Sequence, residues 1–469
     1  MAVPDELQPG ALPLDLSSAQ RVQLAQAAIG LLERLLQERD TAPIFVPTPH
    51  RLIEDMLAPP GEIGTPLPAL VDRLGAAASA GWSKAHAGDL AFIPSGGIFS
   101  GAVAAFLAAG VHAFTGASFE APGLVAIEES VLRWLAGIFG LPARAEGILL
   151  SGGSMANQTA IVCARRRGFD AERSRVYLSE RAHHSLHKAL HLSGIPDRCV
   201  RPVATNGSSS IDIDALSGQL ERDCAAGLKP WLIVGVAGST DTGAVDALEA
   251  LAALAVRYGA WLHVDAAYGG MFALTERGAL RLKGIAAADS ITVDAHKGLI
   301  LPYGVAALLV RHPGALAEAH AGSGNYLRDV PELPGLPHYF QRGPELTRPY
   351  RGLLVWWPLQ LHGVAAYRRA LDRSLDLAVE AARRLQTLAG IDVVNEPELS
   401  IVAFKASRGD VDTEAILAAL NDSGRLHVSS TRLDGSACVR LAFLHPKTGL
   451  REIDAVLQIC AATLQAQSR

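Results

Sequence analysis

The spacing of hydrophobic positions changes character near residue 146. Before it, apolar residues recur at helical spacing, most clearly over 18–38, in a stretch rich in Ala, Leu, Glu and Arg. Pro43, Pro47 and Pro49 interrupt that pattern, and Pro59-Pro60-Gly61 and Pro66 mark further connections. Up to residue 90 the pattern predicts a helical arm. From Glu146 onward, short and nearly continuous apolar runs alternate with amphipathic stretches. The runs at 147–150, 175–179, 199–203, 231–236, 260–265, 290–293 and 304–310 predict strands, with helices between them such as 212–225 and 246–258. This alternation predicts a mostly parallel sheet covered on both faces, with ligands at the carboxyl ends of its strands. Residues 312–347 form a long Pro/Gly-rich connection, a type of loop that often serves as a lid. A long helical pattern follows over 350–388. The tail reads strand, helix, strand, strand, helix. The expected divisions are an arm over 1–90, a large α/β domain over 91–350, a linking helix over 351–389 and a small α+β domain over 390–469.

Composition narrows the classes. The chain has 469 residues, 49% of them hydrophobic and 19% charged. About 25% charged is ordinary, so the chain is apolar and general disorder is excluded. The net charge is −5, and no basic run exceeds Arg165-Arg166-Arg167. Nothing here points to nucleic acid or an anionic membrane. The five cysteines are odd in number and lack CxxC spacing, which predicts free thiols and a cytoplasmic setting. The opening Met1-Ala2-Val3-Pro4-Asp5-Glu6 does not read as a signal peptide. Leu90 to Phe119 carries no charge and is long enough to span a bilayer, which takes about 20 residues. Pro94, Gly96-Gly97 and His112 lie inside it, and its flanks are Asp89 and Glu120 rather than basic anchors. It reads as a buried segment or an oligomer interface.

Four segments carry candidate chemistry. Asp294-Ala295-His296-Lys297 follows an apolar strand. An amine in apolar surroundings loses its proton more readily and becomes a nucleophile toward an aldehyde. Alone, such a lysine is more often a surface residue ending a strand. His263-Val264-Asp265-Ala266-Ala267-Tyr268 delivers one carboxylate to the sheet edge. A carboxylate there can keep a pyridine nitrogen protonated, as pyridoxal phosphate requires, or simply cap the next turn. Ser151-Gly152-Gly153-Ser154 lies between a strand and a helix, where free amides suit a phosphate. It lacks the GxGxxG spacing of a dinucleotide loop. Ala182-His183-His184-Ser185 offers an imidazole to stack on a planar cofactor. His184, His187 and His191 share a helix face, but no nearby carboxylate motif supports a metal, and none is expected.

In this chain order the four segments resemble the group II pyridoxal-phosphate-dependent amino-acid decarboxylases, which include aromatic-L-amino-acid, tyrosine, histidine and glutamate decarboxylases. The likeness covers roughly residues 80–465. It implies an α/β protein of fold type I, a seven-stranded, mostly parallel sheet with an N-terminal helical arm and a small C-terminal α+β domain. It implies that Lys297 condenses with the aldehyde of pyridoxal 5'-phosphate. Asp265 faces the pyridine nitrogen, Ala267 packs under the ring, and His183 stacks on the opposite face near the substrate carboxylate. Gly153, Ser154, Ser290 and Asp294 surround the phosphate, Thr240 lies near the ring hydroxyl, and His296 stands beside the lysine. Tyr326 falls where aromatic-type members carry a loop tyrosine that returns a proton to Cα. Phe92, Ile93 and Pro94 match the substrate segment. Phe114 and Gly116 match a pair that caps the side-chain pocket from the neighbouring subunit of a homodimer. Met155, in place of an acidic residue, and Gly116 depart from the family pattern.

The resemblance implies decarboxylation of an L-amino acid with an aromatic side chain to its amine and carbon dioxide. A carbon–carbon lyase, a decarboxylating aldehyde synthase and a catalytically silent cofactor-binding protein remain open on the same fold.

Overall fold

The computed structural model describes residues 14, 16–39, 41–94, 96–322, 331–407 and 412–467. Tyr326 lies outside them. The arm begins with helix Ser18–Arg39, whose buried residues are Leu31 and Leu35. Helices His50–Leu57 and Leu67–Ser79 follow. Strand β1 (Phe45–Val46) pairs antiparallel with β2 (Gly81–Trp82), a short ribbon that the helical pattern does not predict.

The predicted strands are all present: β3 (Glu146–Leu150), β4 (Ser174–Ser179), β5 (Val200–Val203), β6 (Lys229–Val236), β7 (Trp261–Asp265), β8 (Ser290–Val293) and β9 (Ala306–Val310). Every residue of β3, β4, β7, β8 and β9 is buried, which explains runs that are apolar throughout rather than alternating. Each fully buried Val, Leu or Ile contributes about 1.5–3 kcal/mol. The sheet order is β3-β9-β8-β7-β6-β4-β5. β4 to β8 pair in parallel, whereas β9 runs antiparallel to both β3 and β8. Helix Leu248–Tyr258 lies close on β6, because Gly235 has no side chain. A Cβ there would come within 2.9 Å of Leu251 Cδ1.

The single helix expected over 350–388 is two, Gly352–His362 and Val364–Leu385. Gly363 between them has φ +72°, a left-handed conformation that ends one helix and redirects the chain. The tail holds one strand more than expected. Its elements are β10 (Ile391–Val393), β11 (Ile401–Ala406), helix Thr413–Asp422, β12 (Ser429–Leu433), β13 (Ser436–Ala442) and helix Leu450–Gln467. Its sheet is antiparallel, in the order β10-β11-β13-β12.

The uncharged run begins on this tail. Leu90 is buried in the tail's core, its N–H donates to His427 O at 2.9 Å, and Ala442 N–H donates to Leu90 O at 2.8 Å. Farther along, helix Phe99–Val111 leaves Phe106 67% exposed. Among the described residues, no helix is long and apolar enough to cross a membrane. All five cysteines are free.

Candidate active site

A cavity of about 570 Å³ opens at the carboxyl ends of β3, β6, β7 and β8. Three of its walls come from the loops that leave those strands. After β3, helix Gly153–Arg165 starts directly, and no side chain among the described residues caps it. Its first amides therefore face the cavity unsatisfied, a suitable seat for an anion. The approach is close: a Cβ on Gly153 would sit 3.1 Å from Asp294 Oδ2 and 3.2 Å from Ala267 Cβ. Ser154 and Met155 line the same wall.

After β8, one turn of helix, Ala295–Gly298, carries His296 and Lys297. Lys297 Nζ stands 2.8 Å from Asp294 Oδ2. Asp294 Oδ1 is buried without a hydrogen-bond partner among the described residues, so it remains available to a donor on a ligand. His296 Nδ1 donates to the Val305 carbonyl at 2.9 Å, and its Nε2 lies 3.7 Å from Asp294 Oδ2.

Asp265 closes β7. Its Oδ1 accepts from Ala267 N–H at 3.1 Å and its Oδ2 accepts from Asn157 Nδ2 at 2.9 Å. His183 caps helix His184–Leu192 and lines the cavity, with Nδ1 2.7 Å from Ser185 Oγ. Burial holds its imidazole below the ordinary histidine value, and the nearby Asp265 carboxylate pulls the other way. Thr240, Ala267, Phe92, Ile93 and Pro94 complete the sequence-predicted residues in this cavity.

Three expected residues stand elsewhere. Ser290 is not at the phosphate end. It opens β8, at the far end of the strand from the cavity, and is wholly buried with Oγ engaged by Trp261 Nε1 at 2.9 Å and His263 Nδ1 at 2.8 Å. Parallel strands present ligands at their carboxyl ends, and Ser290 is at the amino end. Phe114 lines an adjacent cavity of about 590 Å³ that shares Ser151, Tyr303 and Gly304 with the first. Gly116 is buried against it, and a Cβ there would meet Phe114 Cζ at 2.6 Å.

Among the residues of the site that escaped the sequence reading, Asn157 and Arg440 stand out. Asn157 sits on the buried face of helix Gly153–Arg165, at the same spacing as Gly153, Ala160 and Ala164. A polar residue on an otherwise small, apolar stripe was the available signal. Arg440 in β13 is 4% exposed and lines the cavity. Its Nε donates to Thr240 O and its Nη1 to Ala91 O, each at 2.6 Å. Its signal was a charge inside the apolar run Val439–Ala442.

An uncapped helix terminus with a glycine cradle, a carboxylate at a strand end, a facing imidazole and a primary amine in one cavity together suit a phosphorylated, aldehyde-bearing heterocycle. This is the class of pyridoxal-phosphate-dependent enzymes of fold type I. Residues 82–407 match the family model described as the pyridoxal-dependent decarboxylase conserved domain, and the chain belongs to that family. Its cofactor is pyridoxal phosphate and its reaction class is that of the carboxy-lyases. It is 34% identical over 379 residues to an aromatic-L-amino-acid decarboxylase of Bacillus atrophaeus, covering 78% of this chain and 79% of that one. It is 32% identical over 338 residues to an L-2,4-diaminobutyrate decarboxylase of Rhizobium meliloti (strain 1021), covering 70% and 68%. Among solved structures, that of Oryza sativa TDC with PLP and tryptamine superposes with a TM-score of 0.90, at 22% identity over 97% of this chain and 99% of that one.

Proposed function

We propose that the protein converts an aromatic L-amino acid to the corresponding amine and carbon dioxide. The observation that carries this reading is that Phe92, Ile93 and Pro94 line the same cavity as Lys297, which offers an apolar side chain an apolar lining. The likeness to an aromatic-L-amino-acid decarboxylase supports it.

Bound pyridoxal phosphate supplies an aldehyde that condenses with an amine, and a protonated ring that takes up the electron pair left when carbon dioxide departs. The chain's own groups do the rest. The amides at Gly153 and Ser154 would hold the phosphate, and Asp265 would keep a proton on the pyridine nitrogen. Lys297 Nζ would be the amine that holds the aldehyde of the bound cofactor. His183 orients the substrate carboxylate. Arg440, whose guanidinium meets carbonyl and hydroxyl oxygens rather than a carboxylate among the described residues, offers that carboxylate a positive charge. Tyr326 returns the proton to Cα.

The working form is a homodimer. Phe114 and Gly116 then reach the cavity of a second copy, and the apolar side chains exposed on helices Ser18–Arg39 and Phe99–Val111 are covered.

Arg440 also supports a second reading, in which it pairs with an acidic side chain. A panel of purified amino acids, scored for carbon dioxide and amine, separates the two. Turnover of tryptophan, tyrosine or phenylalanine supports the first, and turnover of aspartate or glutamate alone overturns it.

A further inference from the structure

One buried amide, that of Asn157, bridges Asp265 to Ser185, the hydrogen-bond partner of His183. Asn157 is 1% exposed, and its side chain makes three hydrogen bonds. Nδ2 lies 2.9 Å from Asp265 Oδ2 and 3.2 Å from Ser185 Oγ, while Oδ1 lies 3.1 Å from His263 Nε2. An ionised carboxylate only accepts, so the nitrogen must face Asp265 and the oxygen must face His263.

That orientation fixes the protons on both sides. Toward the sheet, Asn157 Oδ1 requires a hydrogen on His263 Nε2. His263 Nδ1 is then the acceptor for Ser290 Oγ–H at 2.8 Å, and Ser290 Oγ accepts from Trp261 Nε1 at 2.9 Å. Every member has a partner with a single neutral tautomer, and burial pushes the His263 imidazole down to about 4. Toward the cavity, the second hydrogen of Nδ2 goes to Ser185 Oγ. The Ser185 hydroxyl hydrogen is then directed at His183 Nδ1, 2.7 Å away, and the Ser185 backbone N–H points to the same atom at 3.3 Å. Two donors aimed at Nδ1 leave it only a lone pair. The hydrogen of the neutral ring sits on Nε2, the nitrogen left for the cavity.

We propose that Asn157 is a positioning residue that holds Asp265 toward the cofactor ring and, through Ser185, locks His183 as the Nε2–H tautomer that presents a hydrogen-bond donor to the substrate. This rests on the decarboxylase reading for what His183 and Asp265 face, but the lock itself is a property of the chain. It also accounts for Ser290, which ends the sheet-side arm of the network.

The test uses the full-length, cofactor-free chain. Histidine C2-hydrogen exchange, read by mass spectrometry across pH, reports the titration of His183. Asn157→Leu removes the donor that sets Ser185, so the hydroxyl can turn and accept from a protonated Nδ1. Ser185→Ala removes the link directly. Asp265, Asp294, Lys297 and His184, the charged and titratable groups that face His183, are unchanged in both. Each variant should raise the His183 midpoint by about one pH unit, a tenfold gain in proton affinity. The double variant should raise it no further than either single one. An unchanged midpoint in either folded variant, or shifts that add, overturns the proposal. If Asn157→Leu does not fold, Asn157→Ala serves in its place. The visible absorbance of the wild-type chain with pyridoxal phosphate tests the cofactor assignment separately, so the two can fail independently.

Discussion

Lys297 Nζ and Asp294 Oδ2 are 2.8 Å apart, on the same turn and within one cavity wall. The carboxylate holds the amine beside Gly153, where a Cβ would sit 3.1 Å from the same Asp294 oxygen. Lys297→Ala should therefore abolish both the visible absorbance on adding pyridoxal phosphate and the release of carbon dioxide. Asp265→Asn should keep the absorbance and lower turnover on the order of 10²-fold or more, because a neutral amide does not stabilise the ring proton. A spectrum unchanged by Lys297→Ala would remove the basis for the amine's role.

Tyr326→Phe separates amine formation from aldehyde formation. Without the phenol, protonation of Cα should slow, and a larger share of product should appear as aldehyde and ammonia. Quantifying both products under air checks this. An unaltered amine yield assigns the proton to another donor, for which the Nε2–H of His183 is the candidate.

Acid should destabilise the fold between about pH 6.5 and 4. Burial pushes His263 and His445 each down to about 4. His445 Nδ1 accepts from the Lys447 N–H at 3.1 Å. An unfolded chain takes up protons at both histidines near pH 6.5, while the folded chain resists until about 4, so stability falls as pH falls through that window. Each histidine accounts for about 3 kcal/mol at most. Asp246 works the other way. Burial raises its carboxyl to about 6, so the folded state takes a proton first and recovers part of the loss. The melting temperature of the cofactor-free chain should fall over this range, and His445→Gln should make the fall shallower.

Glu128 and Arg348 form an ion pair at 2.7 Å with both side chains fully buried. The Arg348 Nη2 group also donates to Leu149 O at 2.7 Å, in β3. Glu128→Ala leaves a buried guanidinium uncompensated, and the cost should be about 3–5 kcal/mol. Chemical denaturation measures it. A loss below 1 kcal/mol would mean that water or another carboxylate takes the place of Glu128.

How much of this was legible beforehand follows from how local each signal is. The strands of the large sheet stood out because burial on both faces leaves no room for polar alternation, as in Ile148–Leu150 and Val176–Leu178. Lys297, Asp265, His183 and Gly153 were legible because each follows a strand at the ligand edge. The reversed direction of β9 was not, since a strand's sequence does not record its polarity in a sheet. Ser290 was misplaced because its position in a motif says nothing about which end of β8 it occupies. Asn157 and Arg440 each have partners more than 100 residues away, Asp265 and Thr240 among them, and only their polarity amid apolar neighbours hinted at them. Phe114 and Gly116 belong to an argument that needs a second copy of the chain.

On the proposed function, substrate preference should not transplant as a short peptide. Phe92 to Pro94 follow directly from Leu90 and Ala91, which are stitched to His427, Ser429, Arg440 and Ala442 of the tail. A chimera that borrows residues 91–94 from a relative, but keeps its own tail, would graft a new wall onto the wrong scaffold. Wall and scaffold are joined by hydrogen bonds between residues more than 330 apart in sequence.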